Sequence, residues 1–155
     1  MGFTTLSLKG RALRLLSQRE HSREELRRKL ARHVQEGDDL DAVLTELEAK
    51  DFISQARVVE STLNRRAARL GAARIRQELQ AKGLDAERVQ EAVASLQSSE
   101  WARAHAVWVR RFGSVGADAA ERARQARFLA ARGFAGEVVS RVVRGEAPPS
   151  DEPAE

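Results

Sequence analysis

The residues of this chain whose type and spacing bear on chemistry are its arginines. Between positions 57 and 82 stand Arg57, Arg65, Arg66, Arg69, Arg74, Arg76 and Lys82, opposed only by Glu60 and Glu78. Arg110, Arg111, Arg122, Arg124, Arg127 and Arg132 extend the series toward the C-terminus. A guanidinium is a planar fork that meets phosphate oxygens in pairs. Such a set is suited to electrostatic capture of a polyanion, or of an acidic protein surface, rather than to bond making. The competing reading is a solvated face. Solvated helical faces usually interleave signs as i,i+4 pairs, as the first fifty residues do with Glu24, Glu25 and Glu46 among Arg27, Arg28 and Lys29.

Other chemistry has little to work with. There is no cysteine, which excludes thiolate ligands and nucleophiles and fits a reducing cytoplasm. His21, His33 and His105 are far apart, and no His-Glu-x-x-His, phosphate-loop or Gly-x-Gly-x-x-Gly pattern occurs. We expect no catalytic residue, no cofactor and no metal. Gly113-Ser114-Val115-Gly116 resembles the clamp of single-strand-binding KH domains. That clamp needs strands on either side, so an interhelical loop is expected instead. Trp101 and Trp108, seven apart on one helix with Phe112, share a face. They either stack on bases or pack between repeats, and with only 5% aromatics the core has first claim on them.

The elements that must carry these side chains are helices. No proline precedes Pro148, and β-branched residues never alternate. Ser22 before Arg23-Glu24-Glu25 is a capping box, followed by Leu26, Leu30 and Val34 on one face. Gly37-Asp38-Asp39 ends that helix and caps the next. Ser54 caps a helix with Ala56, Val59, Leu63, Ala67 and Leu70 as its apolar stripe, which sets Arg65 and Arg69 opposite and Arg57 on the flank. Asp85 is expected to cap a later helix, and residues 101–112 form another.

An internal repeat organises all of this. Leu26, Leu30, Leu40, Leu44 and Leu47, shifted by 49, become Ile75, Leu79, Val89, Val93 and Leu96. A further shift of 50 takes Leu79, Gly83, Leu84, Val89 and Val93 to Leu129, Gly133, Phe134, Val139 and Val143, although Ile75 then falls on Gln125. We therefore expect an all-α chain of nine helices in three tandem three-helix repeats, 1–50, 51–98 and 99–145, forming an elongated, curved, solenoid-like body. Residues 146–155 hold four acids and all three prolines and are expected to be a disordered tail. The net charge is +4, and without the tail 27 bases face 19 acids. A basic body favours a polyanionic partner. No apolar run reaches the length of a membrane span, and the N-terminus has no signal-peptide pattern.

In order along the chain, three signatures resemble the RecX family of recombinase regulators. The first is Arg19-Glu20-His21-Ser22-Arg23-Glu24-Glu25-Leu26-Arg27-Arg28-Lys29-Leu30 with Asp51-Phe52-Ile53-Ser54. The second is Arg69-Leu70-Gly71 leading into Arg74-Ile75-Arg76-Gln77-Glu78-Leu79 and Lys82-Gly83. The third is Phe128-Leu129-Ala130-Ala131-Arg132-Gly133-Phe134. The resemblance spans about residues 9 to 145. It implies a bacterial cytoplasmic protein that binds the RecA filament on DNA and suppresses its activities. Arg57, Arg65, Arg66, Arg69, Arg74, Arg76, Lys82, Arg110, Arg111, Arg124, Arg127 and Arg132 are then the expected contacts to DNA, single- or double-stranded, and to the filament, made by a monomer. Two other readings stay open: a sequence-independent DNA-binding module, and a protein-interaction solenoid without nucleic-acid contact. A sequence reader is disfavoured, because the helix after Gly83 opens Asp85-Ala86-Glu87, which is acidic.

Overall fold

The computed structural model describes residues 5–150. Nine α-helices follow in order among them: α1 Leu8–Gln18, α2 Arg23–Leu30, α3 Leu40–Ala49, α4 Gln55–Arg66, α5 Ala72–Ala81, α6 Ala86–Leu96, α7 Glu100–Arg111, α8 Ala119–Ala131 and α9 Gly136–Val143. Short 3₁₀ turns at Ala31–His33 and Gln97–Ser99 complete the set, and no strand occurs among the described residues. Start signals written in the sequence are used as caps. The Ser22 hydroxyl accepts from the Glu25 amide while the Glu25 carboxylate accepts from the Ser22 amide. Ser7, Asp39, Ser54 and Asp118 each accept a first-turn amide of their own helix.

The helices pack in threes: α1–α3, α4–α6 and α7–α9. Each triplet has its own core. Leu26, Leu30, Leu44 and Leu47 are centred in the first, Ile75, Leu79, Val89 and Val93 in the second, and Trp108, Leu129, Val139 and Val142 in the third. Three cores in succession, none large enough to bury the whole chain's apolar surface, are the signature of a repeat array rather than of one globule.

The structure departs from the sequence pattern at several points. Val34 is 42% exposed, not on the buried face, because α2 tightens into the 3₁₀ turn after Leu30 and rotates Val34 outward. The most buried ridge of α4 is Val58 and Thr62; of the expected stripe Val59, Leu63 and Ala67 flank that core and Leu70 is buried in it, while Ala56 is exposed. Thr62 tolerates burial because its hydroxyl donates to the Val58 carbonyl at 2.8 Å. Arg69 lies in the turn beyond α4, not on the helix. Asp85 stands at the start of α6 but makes no side-chain cap, and its own amide donates to Gln55 Oε1 at 3.0 Å. Gln125, the misfit of the third repeat, is buried after all: Trp108 Nε1 donates to its Oε1 at 2.9 Å and its Nε2 donates to the Ser114 carbonyl. Residues 113–116 form the expected interhelical loop. Residues 146–150 carry no helix, while the rest of the acidic tail, residues 151–155, lies outside the described residues.

The triplets join through the ends of their middle helices. The last turn of α5 abuts the first turn of α2: Lys82 pairs with Glu25 at 3.0 Å, and Gly83 lies so close that a Cβ there would meet the Glu24 side chain. The last turn of α8 abuts the first turn of α5 in the same way. Gly71 donates its amide to the Arg132 carbonyl at 2.8 Å, Arg74 Nη1 donates to the Ala131 carbonyl, and Gly133 packs on Arg74. At each joint a helix end carrying free carbonyls faces one carrying free amides, so the two half-charges attract. Two side chains of α7, the buried Glu100 and the half-buried Arg103, reinforce the second joint. Glu100 accepts the Ala72 amide at 2.9 Å, and Arg103 donates to the carbonyls of Ala67, Leu70 and Leu96.

Candidate nucleic-acid interface

The core face of α7, formed by Ala104, Val107 and Trp108, decides where its arginines go. With those three turned inward, Arg110 and Arg111 emerge from the last turn beside α8. There they meet Arg132 at the end of α8 and Arg69 in the turn after α4. Together with Val107 and Phe128 these four arginines line a groove of about 320 Å³. Phe128 is the shelf on which it is built. The Arg132 guanidinium carbon lies 4.8 Å from its ring centre and that of Arg111 lies 5.4 Å away. Phe112 meets the same ring edge-on at 5.4 Å. Guanidinium–ring contacts of this kind hold the side chains flat and ordered without consuming their N–H groups. Among the described residues no carboxylate forms an ion pair with any of the four arginines. Four unneutralised charges in a concavity concentrate positive potential there.

The other expected contacts are not brought together. Arg57 is tied to Glu20 at 2.9 Å and to Asp51 at 3.1 Å, Arg66 to Glu78 at 2.7 Å, and Arg124 to Glu121 at 2.9 Å. Lys82 is held in the joint between the first two triplets. Arg74 Nη1 donates to the Ala131 carbonyl at 3.3 Å, apart from the groove lining. The expectation that the second repeat leaves its positive charges unpaired is thus corrected at Arg57, Arg66 and Lys82. Arg66 takes Glu78 of its own repeat, whereas Arg57 and Lys82 take Glu20 and Glu25 of the first repeat, far from them in sequence. Arg65, Arg76 and Arg127 are exposed and form no ion pair among the described residues, but they do not line the groove. Sequence reasoning passed over Phe128, although Phe112 and Phe128 beside arginines carried the signal. Trp108 is core, and Trp101 packs against that same core beneath Arg141.

No cluster of three His, Cys, Asp or Glu side chains that could hold a metal is found among the described residues. Nor is any helix of the described residues long and apolar enough to cross a membrane.

Three stacked three-helix units joined end to end, with an arginine groove on the third, define an all-α helical-repeat protein. Residues 9–47, 54–93 and 98–143 match, in order, the first, second and third three-helix domains of RecX. The chain belongs to the RecX family. It is 54% identical to the regulatory protein RecX of Ralstonia nicotianae over 140 residues, which cover 90% of this chain and 88% of that one. It is 53% identical to that of Leptothrix cholodnii over 139 residues, with the same coverage. The fold is that of crystal structures of RecX proteins. One gives a TM-score of 0.71 at 17% identity, covering 94% of this chain and 81% of that one. Another, from Lactobacillus salivarius, gives 0.68 at 18% identity, covering 90% of this chain and 94% of that one.

Proposed function

We propose that this protein regulates the RecA–DNA filament by lying along the filament groove, damping recombinase, ATPase and coprotease activity in the cytoplasm during recombination and repair. The units that lie along the filament are 1–50, 51–98 and 99–145, acting as a monomer without cofactor and without catalysis of its own. Membership of a family of regulatory proteins supports the regulatory part of this reading. One observation carries the nucleic-acid part: Arg69, Arg110, Arg111 and Arg132 stand around Phe128 with no carboxylate among the described residues paired to them. Their N–H groups are free for phosphate oxygens, and phosphate contacts position a protein without reading bases. Arg65, Arg76 and Arg127 extend the same electrostatic field. The Arg57, Arg66, Arg74, Arg124 and Lys82 side chains contribute chiefly by holding the body in shape.

The test is the salt dependence of binding to DNA and to RecA filaments. Changing Arg110 and Arg111 to Ala should lower the log–log salt slope by about 1–2 for the two lost contacts, regardless of base sequence. An unchanged slope on both targets would show that the groove is solvated and the nucleic-acid reading is wrong. A fallen slope with inhibition of RecA intact would show that regulation runs through protein contacts instead.

A further inference from the structure

A second concavity lies at the other end of the molecule. In the first triplet α1 and α2 enclose a cleft of about 650 Å³, lined among others by Arg11, Arg14, Leu15, Lys29, Arg32 and His33, with no carboxylate of the described residues in its walls. Among the described residues Arg11, Arg14, Lys29 and Arg32 enter no ion pair. Lys29 is aimed by His21, whose Nε2 lies 3.0 Å from Nζ. The density of positive charge is felt by His33, which partial desolvation and then the Arg11 and Arg32 charges lower from its ordinary value.

Aligned in sequence by their buried residues, this cleft and the α7–α8 groove lie at corresponding places in the first and third repeats. Leu8 and Ala12 of α1 take the places of Ala104 and Trp108 of α7, and Leu26 and Leu30 of α2 those of Gln125 and Leu129 of α8. In that register Arg14 and Leu15 fall on Arg110 and Arg111, and Lys29 and His33 on Phe128 and Arg132. The second repeat breaks the pattern. With Val58 and Thr62 as the matching buried pair, Arg14 falls on Asn64 and Lys29 on Glu78, and Glu78 is ion-paired with Arg66 at 2.7 Å. Where the first repeat has the cation Lys29, the second therefore has an acid already held in an ion pair.

We propose that the α1–α2 cleft is a second nucleic-acid site, taking the backbone phosphates of a polynucleotide strand, so that one strand is gripped at two places with the middle repeat as spacer. The cleft presents cations from both walls and, among its lining residues, no Phe, Tyr or Trp, which suits backbone phosphates rather than bases. The inference rests on the nucleic-acid reading of the α7–α8 groove for the identity of the ligand. Two linked sites on one strand convert the second contact into an intramolecular one and multiply affinity without new chemistry.

The test uses the full chain, labelled single strands of about 10 and about 60 nucleotides, and a duplex of the longer length, chosen to fit one site or to span two. The variants are R11A/R14A and R110A/R111A, with R11K/R14K as the charge-retaining control. Helicity and melting should match the parent, because Ala favours helix. Two short strands should bind per molecule, falling to one in either Ala variant. The long strand should bind about a hundredfold or more tighter than the short one, and either Ala variant should remove that advantage. R11A/R14A should lower the salt slope by about 1–2, and R11K/R14K should restore it. If only the duplex responds, the ligand is double-stranded and the single-strand bridge is overturned. An unchanged slope and stoichiometry in R11A/R14A overturns the second site while leaving the α7–α8 groove standing. If R110A/R111A alone is silent, the groove reading fails and the two-point grip is overturned with it. If R11A/R14A keeps DNA binding but loses RecA free of DNA, the cleft docks protein and the proposal is wrong.

Discussion

Gly71 and Gly133 touch backbone to backbone across the joint between the second and third repeats. The Gly71 amide donates to the carbonyl of Arg132 at 2.8 Å, and a Cβ on Gly71 would fall inside the van der Waals surface of the Gly133 carbonyl group. No rotamer change relieves a clash with main chain. The two repeats can accept any side chain at 71 only by separating, which breaks the Gly71 bond and strains those of Glu100 and Arg74. We therefore expect Gly71→Ala to cost about 2–4 kcal/mol, in the range of severe packing substitutions. Denaturant unfolding should show the loss. Limited proteolysis should cut between 113 and 118 sooner than in the parent. Undiminished stability would mean that the joint is looser than described.

Gln125 and Trp108 form the polar centre of the third core. The internal repeat places Ile75 at this position one unit earlier, so Gln125→Leu restores the repeat's apolar pattern. Hydrophobicity alone predicts a gain. The hydrogen bond predicts the reverse, because the substitution orphans Trp108 Nε1 in a buried site at about 1–3 kcal/mol. We expect a net loss, read as a lower urea midpoint with an unchanged slope. In Trp108→Phe, which removes the orphaned donor, Gln125→Leu should cost less than it does in the parent.

Glu25 is the acid-labile link. Burial would raise its carboxyl, but hydrogen bonds from Arg19, the Ser22 amide and Lys82 outweigh this and hold it at about 2, against an ordinary 4.5. Because the unfolded chain takes up the proton first, Glu25 contributes its full stability above about 4.5. That contribution is lost as pH falls toward 2. The shift corresponds to up to about 3 kcal/mol. Glu25→Gln should lower stability at neutral pH and flatten the acid limb between pH 4.5 and 2. A parallel acid limb in the variant would assign the lability elsewhere.

His21 acts in a higher window. It is 1% exposed, and its Nδ1 lies 3.0 Å from the Arg19 carbonyl, so that nitrogen carries the proton and Nε2 accepts from Lys29. Burial, only partly opposed by the Arg19 carbonyl and aided by the Arg19 and Lys29 charges, lowers the imidazole from its ordinary 6.5. The unfolded chain then binds a proton that the folded chain refuses. Stability attributable to His21 is complete above 6.5 and declines as pH falls below it. Nuclear magnetic resonance should find the His21 ring still neutral at pH 6.5, and His21→Gln should flatten stability just below that pH. A ring half-protonated at 6.5 would refute this.

The helical class, the three-unit repeat and the caps at Ser22 and Ser54 were readable from the sequence because they are local. Capping and i,i+4 burial depend on residues within one or two turns, and the 49- and 50-residue shifts repeat those local choices. Spacing alone could not say which arginines are free. Arg57 and Lys82 look unopposed in their own segment, yet Glu20 and Glu25 reach them from 37 and 57 residues away. Charge pairing depends on distance in space, which chain packing decides. The same is true of the clefts. Arg14 and Lys29 are ordinary surface cations in sequence, and only the packing of α1 on α2 turns them into opposite walls of one crevice. The sequence by itself determined where helices begin and how often the unit recurs. The tertiary structure decided which charges cancel and which stay open, because the small energies of individual helices do not depend on what the next repeat brings alongside them.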